Sequence, residues 1–448
     1  MSATVTGLQA LMLSADPESD LRAAYLAKIA DARLNPTVFS QSDRLRVLLV
    51  GYSGACNTGA DLRTGEIIRH LRSGIGDARL ELGILIVGPQ PLPDWGPITK
   101  EHIAGFAPDA VFDLCARYDA VVVCEGSVFT STFSDSLATM LTAFLGMASA
   151  LGKPAVAWGA EADHMSPAVE RFVREAASGA LIVARNEASA QRLSALSLTV
   201  EQGTDTGWTF DDTTGDAATT QLRALGWDGS APILAIAPTN PFRWPLIADA
   251  ERALFASLTG EAPPDHHSGI LFYQPVAESE QRCSGFLQDI ADAITGHVTA
   301  HMPRAFCLVV GMEMNDRSAC DQLAGLIGAP AIVAGETPPQ MLVAVLRRAA
   351  LLVSARYHAI LLSMQAGVPA VGLAYDQRVM ALMAEAGLPE LALDVQLPDL
   401  RIRLTAALDR ISCDGTIGPT LSSFAERQRY VQHAMAERIT AYLIREHR

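Results

Sequence analysis

Short apolar runs recur along the chain, each closed by turn residues and most followed by a stretch with helical spacing. The first series is LRVLLVGY, ELGILIVG, DAVVVCEG, PAVAWG, GALIVARN and LTVEQG; the second is APILAIAP, GILFYQP, AFCLVVGME, APAIVAG, LLVSARYH and PAVGLAY. These runs are apolar throughout instead of alternating, the pattern of strands covered on both faces of a parallel sheet. Between the two series lies DDTTGDAATTQLRALGWDGSAP, residues 211–232, with a polar Gly/Thr-rich stretch and no core strand. The pattern therefore predicts an α/β protein of two doubly wound, Rossmann-like domains, whereas a closed eight-fold barrel would need one uninterrupted series. The expected division is a helical extension over 1–43, domains over 44–215 and 232–418, and an amphipathic helix over 419–448. Helical spacing spans Asp20 to Arg33, and in the tail Leu421, Phe424, Val431, Met435, Ile439 and Leu443 mark a face that docks on a domain.

Composition narrows the function. With 34 basic and 49 acidic residues among 448, the net charge of −15 repels nucleic acid and anionic bilayers, so an anionic ligand needs a local pocket. Lysine occurs only at positions 28, 100 and 153, there is no GxxxxGK[ST] loop, and arginine forks are left to grip anions. The seven cysteines form no CxxC pair and are expected as reduced thiols in a cytoplasmic protein; Cys124 and Cys307 read as core, while Cys56 either packs or meets ligand. The stretches Ser136 to Gly152 and Tyr357 to Tyr375 are too short or too interrupted to span a bilayer. No secretion signal is apparent at the start of the sequence.

In open parallel sheets, ligands bind beyond the carboxyl ends of strands, near helix N-termini, so candidate residues are sought there. The loop GYSGACNTGAD brings Gly51, Gly54 and Gly59 for close backbone approach, with Asn57 and Thr58 as polar partners; a tight structural turn explains it equally well. In CEGSVFTSTFSDS, Glu125 is a candidate general base beside Ser127, or a carboxylate bound by neighbouring amides. Glu161, Asp163 and His164 read as a solvated loop, since no second ligand pair supports a metal. Arg185 ends a strand, and Asp205 with Trp208 suits a sugar site or, equally, a turn and a core tryptophan. Asn240 lies on a loop of the second half, and Glu313 and Arg317 follow another strand, with Asp316 as a helix cap.

The strongest constellation is Leu351 to Val379. Ser354 closes a strand, and Arg356 and His358 enter the first turn of an apolar helix, where cations oppose the helix dipole. That conflict predicts an anion held between them; the alternative is Arg356 paired with an acid and His358 capped in the core.

The run S-A-R-Y-H-A-I-L-L-S-M-Q-A-G-V-P-A-V-G-L-A-Y-D, Ser354 to Asp376, resembles the C-terminal signature of the polysaccharide pyruvyl transferase family. G-Y-S-G-A-C-N-T-G-A-D, Gly51 to Asp61, resembles that family's N-terminal loop, and V-A-R-N-E-A-S, Val183 to Ser189, its R-x-x-x-S segment. The resemblance implies a GT-B-like fold with the active site in the cleft, and transfer of the enolpyruvyl unit of phosphoenolpyruvate onto a sugar, usually as a cyclic ketal. It implies phosphoenolpyruvate as co-substrate, no further cofactor and no metal; oligomeric state is left open. On this reading Arg356 clamps the donor and His358 contacts phosphate or acts as acid, with Ser354, Arg378, Glu313 and Arg317 around them. Glu125 or Asp205 is the base, and Gly54, Asn57, Thr58, Gly59, Asp61, Ser127, Arg185 and Asn240 hold the acceptor. The sequence departs from the family at Cys124-Glu125-Gly126-Ser127, where many relatives have tandem glycines. It also has Arg378 for a lysine and Gly59-Ala60-Asp61 for Gly-Asp. A nucleotide-sugar transferase, with Asp376 or Glu385 toward the nucleotide, and a non-catalytic glycan- or partner-binding relative are the competing readings.

Overall fold

The computed structural model describes residues 16–35, 43–103, 107–211, 215–249, 259, 272–274 and 278–447. Helix α1 (Pro17–Leu34) precedes β1 (Leu45–Val50), α2 (Thr58–Ile75), β2 (Leu80–Leu85), β3 (Thr99–Glu101), α3 (Pro108–Arg117) and β4 (Ala120–Val123). Then come α4 (Asp135–Ala150), β5 (Ala155–Ala160), α5 (Pro167–Ala176), β6 (Leu181–Ala184), α6 (Glu187–Ala195) and β7 (Val200–Gln202). The seven strands form one parallel sheet in the order β3-β2-β1-β4-β5-β6-β7. All six apolar runs of the first series are strands; β3, mostly exposed and polar, was not anticipated.

The second domain holds α7 (Ala217–Ala224), β8 (Ile233–Ala237), β9 (Ile247–Asp249), β10 (Phe272–Gln274), α8 (Ser279–His301), β11 (Phe306–Gly311), α9 (Arg317–Ile327) and β12 (Ala331–Val333). It continues with α10 (Pro339–Leu346), β13 (Leu351–Ser354), α11 (Tyr357–Met364), β14 (Ala370–Ala374), α12 (Gln377–Glu385), β15 (Ala392–Asp394) and α13 (Leu400–Cys413). Its parallel sheet runs β12-β11-β8-β13-β14-β15. The run GILFYQP does not join it: Phe272–Gln274 pairs antiparallel with β9, and the short β15 takes the sixth place.

Two further expectations are corrected. Helix α7 lies in the stretch read as linker, yet Ala218 and Leu222 are buried in the second core, so the division falls before it. The terminal helix α14 (Ile417–His447) docks on both domains. Leu421 and Phe424 enter the second core, while Met435, Ile439 and Leu443 enter the first; Val431 is exposed. Helix α1 buries Leu21, Tyr25, Ile29 and Ala32 against the outer layer of the first domain.

In each sheet the strand order reverses between two adjacent strands, β1 and β4 in the first, β8 and β13 in the second. Such reversals open a crevice at the carboxyl edge, where the connecting loops part in opposite directions. The loops after these strands carry most of the candidate residues.

Candidate active site between the two sheets

Backbone hydrogen bonds join the two edges. Thr58 N–H donates to the Met312 carbonyl at 2.8 Å, Met314 N–H to the Cys56 carbonyl at 3.2 Å, and Asn57 forms an isolated antiparallel bridge with Glu313. Asn57 also caps α2, its side chain accepting from Ala60 N–H at 3.1 Å. A β-carbon on Gly59 would collide with the His358 ring, so the absence of a side chain at 59 lets the two helix starts meet. Gly54, with φ +84°, packs within 2.5 Å of the Gly88 carbonyl on the same measure. Gly54, Asn57, Thr58 and Gly59 thus all take part in loop packing or inter-domain contact, while Thr58 Oγ1 is buried without a hydrogen-bond partner among the described residues.

At the centre stands Asp205, buried just beyond β7 at the cap of a 3-10 turn. Its Oδ2 lies 3.3 Å from Arg63 Nε, 3.3 Å from Arg185 Nη1 and 3.6 Å from His358 Nε2; its Oδ1 accepts from Gly207 N–H at 2.8 Å. Burial disfavours its ionised form, but Arg63, His358 and Arg185 outweigh that and hold it far below the usual carboxylate range. Asp205 therefore anchors two guanidiniums and the His358 ring, and so low a carboxylate is a weak proton acceptor in this state. Trp208 is the core alternative, buried edge-on against Phe424.

Arg63 and Arg185 are 1% and 2% exposed. Arg63 donates to the Gly159 carbonyl at 2.9 Å, and Arg185 pairs with Glu161 and lies 4.4 Å over the Tyr357 ring. A β-carbon on Gly126 would stand 2.7 Å from both guanidiniums, so this glycine admits them side by side. Glu161 is buried, not solvated, and burial pushes its carboxyl up to about 7, which Arg185 only partly offsets. Arg63 Nη1, Arg185 Nε and His358 Nε2 are buried nitrogens without a hydrogen-bond partner among the described residues.

His358, whose side chain is 16% exposed, is pushed below its usual value by burial, with Asp205 opposing. Arg356 departs from expectation. It is the cap position of α11, and its guanidinium is held by Asp316, with Nε–Oδ2 at 2.9 Å, and by Glu313 at 2.8 Å. The conflict with the helix dipole is resolved by protein carboxylates, so Arg356 is not a vacant anion clamp. Burial raises Asp316 against the pull of Arg356. Ser354 accepts from Arg356 N–H at 2.9 Å and shapes this turn. Asp61, buried beside Glu313, is pushed up to about 7 by burial and then by that like charge.

The remaining candidates sort plainly. Glu125 Oε1 accepts from Gly126 N–H at 2.8 Å and Ser127 N–H at 3.3 Å, and stands 4.0 Å from Arg63, so the amide-bound alternative is observed. Arg378 pairs with Asp376 at 2.8 Å through Nε, donates to the Tyr375 hydroxyl at 2.8 Å and lies 4.8 Å over the Phe133 ring of the first domain. Arg317 pairs with Asp321 and Glu336 on its own face and does not join the donor group as expected. Asn240 caps a 3-10 turn and donates to Glu280 at 3.1 Å. All seven cysteines are free thiols; burial raises Cys56 and Cys124, and Cys307 is only half-buried. His297, His301 and Asp409 could hold a metal ion, but they lie at the far end of α8 from the cleft.

Arg63 and Asp316 escaped the sequence reading as site residues. Gly59, Arg63, Glu66 and His70 fall at helical spacing on α2, all but Gly59 polar yet all buried, and that polar stripe was the available signal.

Two facing Rossmann-like domains with the functional groups in the cleft define the GT-B fold. UDP-GlcNAc 2-epimerase from Neisseria meningitidis bound to UDP-GlcNAc superposes with a TM-score of 0.52 at 11% identity, over 90% of this chain and 100% of its own. The S. aureus MnaA–UDP structure gives 0.56 at 10% identity, over 90% and 97%. The UDP-GlcNAc 2-epimerase of Methanocaldococcus jannaschii gives 0.52 at 12%, over 89% and 99%. No curated protein matches by sequence. Residues 57–377 match the polysaccharide pyruvyl transferase family model, and the chain belongs to that family. No helix among the described residues is long and apolar enough to cross a membrane.

Proposed function

We propose that the protein transfers the pyruvyl unit of phosphoenolpyruvate onto a saccharide, forming a ketal across two hydroxyls. The observation that carries this reading is the trio around Asp205. Arg63, Arg185 and His358 each leave a buried nitrogen without a hydrogen-bond partner, and each such group costs about 1–3 kcal/mol until an acceptor arrives. A carboxylate and a phosphate are such acceptors, and planar guanidiniums suit both. Arg378, paired with Asp376, adds a third guanidinium.

One acceptor hydroxyl adds to the central carbon of the enol while its methylene takes a proton. The second hydroxyl then displaces phosphate, so donor and diol become ketal and inorganic phosphate. Once the donor's negative charge is beside it, the imidazolium of His358 is favoured and can give its proton to the methylene. The imidazole left neutral then takes the proton of the attacking hydroxyl, and the second hydroxyl's proton leaves with phosphate.

A nucleotide-sugar transferase is disfavoured by Asp376, whose carboxylate caps α12 and is held by Arg378. Incubation with phosphoenolpyruvate and glycans, read by mass spectrometry for the added pyruvyl mass and by phosphorus NMR for released phosphate, tests the proposal. Tight binding of nucleotide sugars with no phosphoenolpyruvate signal would overturn it.

A further inference from the structure

The N-terminal loop after β1 is largely engaged in inter-domain packing through Asn57, Thr58 and Gly59. A separate cavity of about 650 Å³ lies between the domains, a size suited to a ligand site. Its first-domain wall is the loop after β4 with His164; its second-domain wall is the loop after β8, Arg282 and Tyr375. The two walls are fastened together: Leu246 N–H donates to the Phe133 carbonyl at 2.9 Å, and the Phe133 ring meets Trp244 edge-on at 4.9 Å. Tyr375 belongs both to this cavity and to the charged cluster, through its hydroxyl bond from Arg378.

We propose that this cavity is the acceptor site and that it takes an uncharged saccharide, with the reacting hydroxyls toward Tyr375. The inference rests on the pyruvyl-transfer reading and adds the location and charge class of the acceptor. One side of the cavity offers hydroxyls, Ser131, Thr132 and Ser134, and the other aromatic carbon, Phe242, Trp244 and Tyr375. That pairing matches the two aspects of a sugar ring, hydroxyls at its edge and C–H groups on its faces. The charges argue against a diphosphate. Glu18 and Asp135 both line the cavity and accept from Ser136 and Ser166 at 2.6 Å. Among the described residues, these two acids face His164 and the single guanidinium of Arg282, which is already stacked 4.2 Å over Phe242. A phosphorylated acceptor would meet few cations among the described lining residues, whereas the donor's anionic groups have Arg63 and Arg185 beside Asp205 and Arg378 at the Tyr375 hydroxyl.

The test is saturation-transfer NMR on the full chain with neutral trisaccharides of glucose, galactose and mannose and, separately, UDP-N-acetylglucosamine, alongside calorimetry with phosphoenolpyruvate. Gln396 sits at the exposed mouth of the cavity, so Gln396→Trp should block it without disturbing the fold. At least one trisaccharide is expected to bind, to weaken at least tenfold in Gln396→Trp and to weaken also in Thr132→Val, while phosphoenolpyruvate affinity stays within twofold. Equal trisaccharide binding by wild type and Gln396→Trp, or no binding of any of the three, would overturn the assignment. So would UDP-N-acetylglucosamine that is displaced by Gln396→Trp. Failure of phosphoenolpyruvate to bind the wild-type protein would instead sink the donor reading, while the trisaccharide arm still decides the cavity.

Discussion

His358 is where charge, burial and geometry meet most closely. Burial keeps it neutral in the free protein, against the attraction of Asp205, and an anionic donor adds attraction that favours protonation. Donor binding is therefore expected to take up a proton above the free histidine's pKa, and affinity to fall as pH rises. Calorimetry of phosphoenolpyruvate in two buffers of different ionisation enthalpy measures that uptake; His358→Gln should abolish it and slow turnover by about 10²–10⁴-fold. Arg356 behaves differently, because its partners are protein carboxylates. Arg356→Ala leaves buried Asp316 and Glu313 facing each other, a loss expected to cost about 3–5 kcal/mol of stability. Denaturant unfolding checks it, and Asp316→Asn in the same background should recover part of the loss.

The start of α2 shows how one element serves both packing and chemistry. Its first turn is pressed onto α11 through Gly59 and His358, and Asp61 is enclosed beside Glu313. Gly59→Ala is expected to leave the fold intact but to move His358 off Asp205, with turnover falling at least tenfold and circular dichroism unchanged. Asp61 has a folded pKa raised to about 7 from 3.8, so the folded state binds the extra proton. Its contribution to stability is full below about 3.8 and is lost as pH rises through about 7. Asp61→Asn should flatten the difference between melting temperatures at pH 5.5 and pH 8 relative to wild type. The elements themselves were legible where burial on both faces forces an unbroken apolar run, as in LRVLLV and AVAWGA. They were not legible in TKE or ALD, three-residue edge strands set by neighbours. The site was legible as strand-end positions, but partner choice was not: nothing in the local sequence brings Asp316 to Arg356 across 40 residues, or Arg63 to Asp205 across 142.

At the scale of the molecule, α14 decides whether the two domains behave as one. Its first half completes the second core with Leu421 and Phe424, and its second half completes the first with Met435, Ile439 and Leu443. The helix continues unbroken from one core into the other, so loosening either end removes apolar contacts and the anchoring of the other. Thermal unfolding of the whole protein is therefore expected as a single calorimetric transition, although each sheet has its own core. Met435 is fully buried, and Met435→Ala should cost about 2–5 kcal/mol by leaving a cavity. If the helix couples the domains, that variant lowers the one transition without splitting it, and phosphoenolpyruvate affinity measured well below the melting temperature stays unchanged. A second, higher transition persisting at the wild-type temperature would mean that the second domain holds its structure without the far half of α14. The donor groups, drawn from both sheets, would then depend for their alignment on the contacts between the strand-end loops, the bridge at Asn57 and Glu313 and the Phe133 contacts with Leu246 and Trp244.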